Sequence, residues 1–250
     1  MVLQAQEGRL TTSAARILVA TAVPAERDAV ARAFPDGTAA EVRLPGATLL
    51  RTTAGYDLLA AGVGPALAAA GTATALTAAA LDGRPYALVV SAGIAGGFQP
   101  EAPVGSLVVA DEITVADLGA ETADGFLPVT ELGFGTVSHR PPNSLVRVTA
   151  EVTGARPGAV LTVSTMTGTA ARAAGLRTRH PGALAEAMEG FGVAEAAAAH
   201  GVPALELRAV SNPVGPRDRA AWRIGDALAA LTEAFGKLVP ALESWNQHDQ

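Results

Sequence analysis

Short apolar runs of buried-strand type recur along this chain, and most are followed by a helical stretch or a glycine-rich turn. Arg16–Thr21 (RILVAT), Tyr86–Ser91 (YALVVS), Ser106–Ala116, Ala159–Val163 and Ala204–Val210 are short and rich in Val, Leu and Ala. Runs of this kind are read as strands covered on both faces. Leu49–Thr53 and Leu58–Ala61 add a strand pair around the turn at Gly55. Pro24–Phe34 has helical periodicity, and an Ala-rich helix runs from Pro65 to Asp82-Gly83, with proline inside its start and glycine past its end. Gly182–His200 reads as mostly helical, and a last helix begins near Asp218. There Ile224, Leu228, Leu231, Phe235, Leu238 and Leu242 step by four and three along one face. The alternation predicts an α/β fold, a three-layer α/β/α sandwich with a central mixed twisted sheet.

A length of 250 residues suits one such domain, expected over 16–246 behind a flexible tail at 1–15. Aromatic content is only 4%, so the core must be built from small aliphatic residues packed closely. A net charge of −6 with a single lysine, Lys237, speaks against a nucleic-acid or anionic-membrane surface. Cysteine is absent, which excludes disulfides, Cys-zinc sites and thiol catalysis. Met1–Ala15 lacks a secretory pattern, and no strongly apolar run reaches the roughly 18 residues of a membrane span, Pro65–Leu81 coming closest but broken by Gly71 and its threonines. The expectation is a cytoplasmic enzyme without a nucleic-acid or membrane partner. His139, His180, His200 and His248 show no ligand spacing, so neither a metal site nor a cofactor is expected. Gly62-Val63-Gly64 begins like a dinucleotide fingerprint, but the position that needs a small third residue is Leu67.

Three polar residues stand out. Glu26 shares a helical stripe with Val30, Ala33 and Phe34, a face that should meet the sheet. A carboxylate there needs a partner or a wet cleft, and the carboxyl end of a strand is where open sheets place ligands. A first-turn glutamate favoured by the helix dipole is the plainer reading. Glu189 follows Met188 and precedes the small residues Gly190, Gly192 and Ala194, which allow close approach of a ligand. One carboxylate can accept from both hydroxyls of a sugar, whereas a solvated helix glutamate is the plainer alternative. Asn212 follows the strand Ala204–Val210 and opens an Asn-Pro turn on the same edge.

The ordered set TAVPAE (Thr21–Glu26), GVG (Gly62–Gly64), SAGIAGG (Ser91–Gly97), AMEG (Ala187–Gly190) and RAVSN (Arg208–Asn212) resembles the purine nucleoside phosphorylase superfamily. Its branch related to methylthioadenosine/S-adenosylhomocysteine nucleosidase looks most similar, and the resemblance spans about residues 16 to 240. It implies a nucleoside phosphorylase-like fold, a purine nucleoside as small-molecule substrate, and a homo-oligomer, dimer or larger. By the same resemblance Glu26 is the glutamate that activates water, and Met188 and Glu189 hold the ribose. Gly93 and Ile94 lie under the sugar, and the Ser164–Thr169 segment, with Met166 and Thr167, lies beside the base. Asn212 falls where adenine-specific nucleosidases carry aspartate, and Ile94 where they carry serine. A carboxylate only accepts hydrogen bonds, while an asparagine amide can also donate to a 6-oxo group, so the exchange points to a 6-oxopurine. Asparagine cannot deliver a proton to the leaving base; hydrogen bonding suffices, or Asp218 assists. A charged group at the ribose 5′ position would call for an arginine, with Arg140, Arg177 and Arg217 as candidates.

Two other readings stay open. A phosphorylase of the same fold would need a cationic clamp for phosphate, for which Arg27, Arg43 and Arg51 are within reach. A binding protein with this fold and no chemistry is the other, against which stands the presence of both Glu26 and Glu189.

Overall fold

The computed structural model describes residues 16–34 and 36–245; the tail expected at 1–15, and His248, lie outside the described residues. In chain order the elements are β1 (Ile17–Thr21), α1 (Pro24–Ala31), β2 (Thr38–Leu44), β3 (Ala47–Thr52), β4 (Tyr56–Ala60), α2 (Pro65–Leu81), β5 (Leu88–Gly97), β6 (Leu107–Val115), β7 (Gly119–Thr122), β8 (Gly125–Pro128), β9 (Ser138–His139), α3 (Asn143–Thr153), β10 (Arg156–Thr162), α4 (Ala170–Arg179), β11 (Ala183–Ala187), α5 (Gly190–Ala199), β12 (Ala204–Pro213) and α6 (Ile224–Ser244).

The main sheet runs β11-β10-β6-β12-β5-β1-β4-β3-β2, with β9 alongside β6 and a separate β7–β8 hairpin. It is mixed: β1 lies parallel to β4 and β5, and β12 parallel to β5, while β2–β3, β3–β4 and β12–β6 are antiparallel. Successive residues of β1 face opposite layers, as strand geometry requires. Ile17 and Val19 pack in a cluster with Val30 of α1, Leu145 of α3 and Phe235 of α6. Leu18 and Ala20 pack with Ala75 of α2 and Val193 of α5. This is the three-layer arrangement that the alternation predicts. On α6, Leu231, Phe235, Leu238 and Leu242 are buried as expected, while Ile224 at its start is exposed.

Three segments differ from the sequence reading. The glycine-rich Ala92–Gly97 segment is not a turn but the second half of β5, laddered to β12 from Gly93↔Arg208 to Gly97↔Pro213. Glycine is depleted in strands, so composition masks it. Gly182–His200 is a strand and a helix, β11 and then α5. Alanine favours helices, but Ala183–Ala187 is claimed by parallel pairing to β10 and is buried throughout. Ser211, Asn212 and Pro213 extend β12 across a bulge instead of ending it. The far end of β5 also pairs with β11, Gly97 opposite Ala185 and Gly96 opposite Glu186, which draws the loops after β10 and β11 over the carboxyl edge.

Candidate active site

Glu26 sits in the first turn of α1 and is only 4% exposed. Both readings of it hold at once. Its Oε2 accepts from the backbone N–H of Ala22 (3.0 Å) and Val23 (3.3 Å), closing the helix start. Its Oε1 crosses to β5 and accepts from the N–H of Ile94 at 2.9 Å. Burial raises its carboxyl above the ordinary value; Arg208 and the Ile94 N–H pull it down, and the charge of Glu189 raises it further.

Glu189 is the N-cap residue of α5, at the end of β11. Its Oε1 accepts from the N–H of Gly64 at 3.2 Å, and its Oε2 lies 3.4 Å from Nη1 of Arg208. Met188 beside it is half-buried. Arg208, which the sequence reading did not assign, organises this half of the site. It is 1% exposed and donates from Nε to Oε1 of Glu206 at 2.8 Å and from Nη2 to Ser91 Oγ at 3.1 Å. Glu206 is fully buried; burial raises its carboxyl, and Oε2 has no partner among the described residues. Two glycines make room for this group. A β-carbon on Gly93 would lie 2.6 Å from Oε1 of Glu26 and 2.7 Å from Nη1 of Arg208, and one on Gly190 would lie 2.2 Å from Oε2 of Glu206. A signal for the missed pair was present: Glu206 and Arg208 are opposite charges two apart in a buried-strand pattern, so they share a face.

The other half of the site surrounds Asn212. Its Oδ1 accepts from Ser211 Oγ at 2.8 Å, and its Nδ2 donates to the Pro213 carbonyl at 3.0 Å. An amide nitrogen carries two hydrogens, so one stays available to a ligand. Asn212 shares a cavity with Met166, Thr167, Arg217 and Trp222. Thr167 is fixed from below by Glu186, unassigned in the sequence reading, which accepts from its N–H at 2.8 Å and from its hydroxyl. Asp218 does not line this cavity; it is exposed and its Oδ1 caps the short turn Arg219–Ala221 through the Ala220 N–H (3.1 Å). Its neighbour Arg217 occupies that place, with its guanidinium 5.4 Å from the Trp222 ring centre.

The two halves are joined along β5. Gly93 and Ile94 touch the Glu26 carboxylate, and Gly96, in register with Asn212, lies two to three residues further on. At about 3.3 Å per residue the separation is roughly 7 to 10 Å, on the scale of a base and its ribose. Of the arginines considered for a 5′ group, Arg140 pairs with Glu112 and Arg177 with Glu101, both at 3.0 Å, and Arg217 stands on the Asn212 side.

A mixed sheet whose carboxyl edge gathers a helix-start glutamate, a second glutamate at a helix cap and a strand-end amide is the architecture of nucleoside-cleaving enzymes. In agreement, residues 16–242 match the model of the phosphorylase superfamily. A futalosine hydrolase of Streptomyces coelicolor is 80% identical over 94% of this chain and 99% of that protein. One of Acidothermus cellulolyticus is 49% identical over 88% and 89%. Among solved structures, futalosine hydrolase of Helicobacter pylori superposes with a TM-score of 0.78 at 17% identity, covering 91% of this chain and 98% of that one. The methylthioadenosine/S-adenosylhomocysteine nucleosidase of Neisseria meningitidis, in complex with methylthio-immucillin-A, gives 0.77 at 18% identity over 90% and 99%; these two likenesses concern the fold. The chain belongs to the phosphorylase superfamily and, within it, to the futalosine hydrolase family. No helix among the described residues is long and apolar enough to cross a membrane.

Proposed function

We propose that this protein hydrolyses the N-ribosyl bond of futalosine, releasing hypoxanthine and leaving dehypoxanthine futalosine, a step of menaquinone biosynthesis. The observation that carries water rather than phosphate as nucleophile is the charge around Gly93. Three carboxylates, Glu26, Glu189 and Glu206, face one guanidinium there, and Arg208 is already engaged by Glu206 and Glu189. A phosphate dianion entering that group faces buried carboxyl oxygens and finds the one guanidinium already engaged, whereas a water molecule can be held by those same oxygens.

In this reading the purine lies between Asn212 and the Met166–Thr167 loop, and the ribose lies over Gly93 and Ile94. As the glycosidic bond stretches, positive charge grows on the sugar and negative charge on the base. The free Asn212 N–H stabilises the base, Glu189 accepts from the ribose hydroxyls, and Glu26 takes a proton from the water that attacks C1′. The proton given up by water is balanced by the one the departing hypoxanthine anion takes up. Asn212 in place of aspartate supports a 6-oxopurine over adenine nucleosides. Assembly as a homo-oligomer and a cytoplasmic location belong to the same reading; exposed Val63 and Leu67, flanking Gly64, give an apolar surface that assembly would bury.

The test is an assay against futalosine, its 6-amino analogue, inosine and methylthioadenosine, with and without phosphate. Phosphate-independent release of hypoxanthine from futalosine is expected. Formation of ribose 1-phosphate esters would overturn the hydrolase reading.

A further inference from the structure

A second cavity, of about 500 Å³, opens on the same sheet edge and is lined by Arg27, Arg43, Thr48 and Ala60 among others. No carboxylate lines it. Arg43 makes no hydrogen bond or ion pair among the described residues. Arg27 uses Nε and Nη2 on a single oxygen, Oδ1 of Asp28 (2.9 and 2.8 Å), and Asp28 is itself half exposed. Two guanidiniums thus border one cavity with donors to spare.

Strand order says what could reach it. From the base toward the sugar the site passes from β12, which carries Asn212, to β5, which carries Gly93 and Ile94. The next strands outward are β1, β4, β3 and β2. Ala60 ends β4 beside Thr21, the strand end that leads into Glu26; Thr48 lies on β3 and its register partner Arg43 on β2. In a nucleoside the base and the 5′ carbon leave opposite ends of the ribose. In the proposed pose a substrate with its base at Asn212 sends its 5′ substituent away from β12, toward the side of the sheet on which this cavity opens. At about 4.8 Å per strand, β3 lies roughly 14 Å from β5, so a group held between Arg43 and Thr48 is too far away to attack C1′. An anion in this cavity is not the nucleophile; it is tethered to the far end of the substrate.

We propose that this cavity is a subsite for a carboxylate carried at the 5′ end of the nucleoside, with Arg43 and Arg27 as its donors. The inference rests on the reading of the protein as a futalosine hydrolase, because the benzoate of futalosine sits at that position. Thr48 adds a hydroxyl donor. A planar carboxylate suits a guanidinium fork, and such charge-assisted bonds are the strong kind.

The experiment compares wild type, Arg43→Ala, Arg43→Lys and Arg27→Ala with three substrates: futalosine, its methyl ester and inosine, each with and without phosphate. For Arg43→Ala, KM for futalosine is expected to rise at least about tenfold, the loss of one charge-assisted bond. Arg27→Ala acts in the same direction, and Arg43→Lys recovers part of the loss. Rates with inosine and with the neutral ester stay at wild-type values in all variants. Equal effects on futalosine and inosine, or no effect on either, overturn the subsite. A phosphate-dependent rate that the arginine variants abolish also overturns it, by making the cavity an inorganic anion site. Wild-type protein that cleaves inosine but not futalosine sinks the substrate reading and the subsite together. Wild-type cleavage of futalosine with an unchanged KM in Arg43→Ala sinks the subsite alone.

Discussion

Glu26 and Arg208 meet over Gly93, each placing a polar atom within 2.7 Å of the point where a β-carbon of residue 93 would stand. Neither side chain can retreat easily. Glu26 is tied to three backbone N–H groups, and Arg208 is bonded along its Nε edge to a buried carboxylate. Gly93→Ala therefore has to move the pair apart. The expected result is a loss of turnover of at least about 10²-fold, since small displacements of catalytic groups cost on that order. A steady-state assay of the folded variant checks this, and wild-type turnover in Gly93→Ala would remove the pair from the mechanism.

Glu26→Gln keeps the shape and one acceptor oxygen but cannot take a proton. General-base catalysis contributes about 10²–10⁴-fold, so turnover should fall by that factor while futalosine still binds. Calorimetric titration of the variant with substrate, beside its kcat, separates the two effects. A near-wild-type kcat shows that another group activates water.

The same residues illustrate what the sequence makes legible. Glu26 and Asn212 are visible because each follows a strand-like run, Glu189 because small residues follow it, and the motifs around all three keep a fixed order. Arg208 and Glu206 lie inside a strand that reads as core, and their meaning depends on which face turns toward β5, a fact of the sheet and not of the strand. Ala183–Ala187 looks helical by composition because alanine carries no strand signal; only pairing with β10 makes it a strand. The glycines of β5 read as a turn for the converse reason. Their absent side chains are the space that Glu26 and Arg208 fill at Gly93, while Asn212 Nδ2 comes within 3.3 Å of a β-carbon position on Gly96. The sequence offers Arg27 and Arg43, with Arg51, as a clamp for phosphate, but that the first two border one cavity is set by the register of β2, β3 and β4.

In the proposed pose Asn212→Asp replaces an amide that can donate to the base with a carboxylate that only accepts. The carboxylate suits a 6-amino group and leaves a 6-oxo group facing like charge. The ratio of kcat/KM for futalosine over its 6-amino analogue is expected to fall by about 10²-fold or more. Competition between the two substrates in one reaction measures it directly, and an unchanged ratio would take purine selection away from residue 212.

Buried acids set the pH response, with opposite signs for activity and stability. Burial raises Glu26, Glu186 and Glu206 above 4.5, their ordinary value. In its proposed role as the base Glu26 must be ionised, so kcat/KM should show an acid limb above pH 4.5, with activity lost as pH falls through the raised value. The groups that face Glu26 and set it are Arg208, Glu189 and the N–H groups of Ile94 and Ala22. For folding the sign is reversed. A carboxyl whose folded value is raised binds its proton more tightly in the native state, so its stabilising contribution is full below 4.5 and is lost as pH climbs through the raised value. Asp57 works the other way. Burial pushes it up, but bonds from Arg51 and Tyr86 and the charge of Arg16 hold it below 3.8, so its contribution disappears only in stronger acid. Stability is therefore expected to decline from pH 4.5 upward. Glu206→Gln, which cannot ionise yet still offers Arg208 Nε an acceptor oxygen, should flatten that decline. Tm measured across pH 5 to 8 for both proteins decides it, and parallel curves would mean that Glu206 does not titrate in this range.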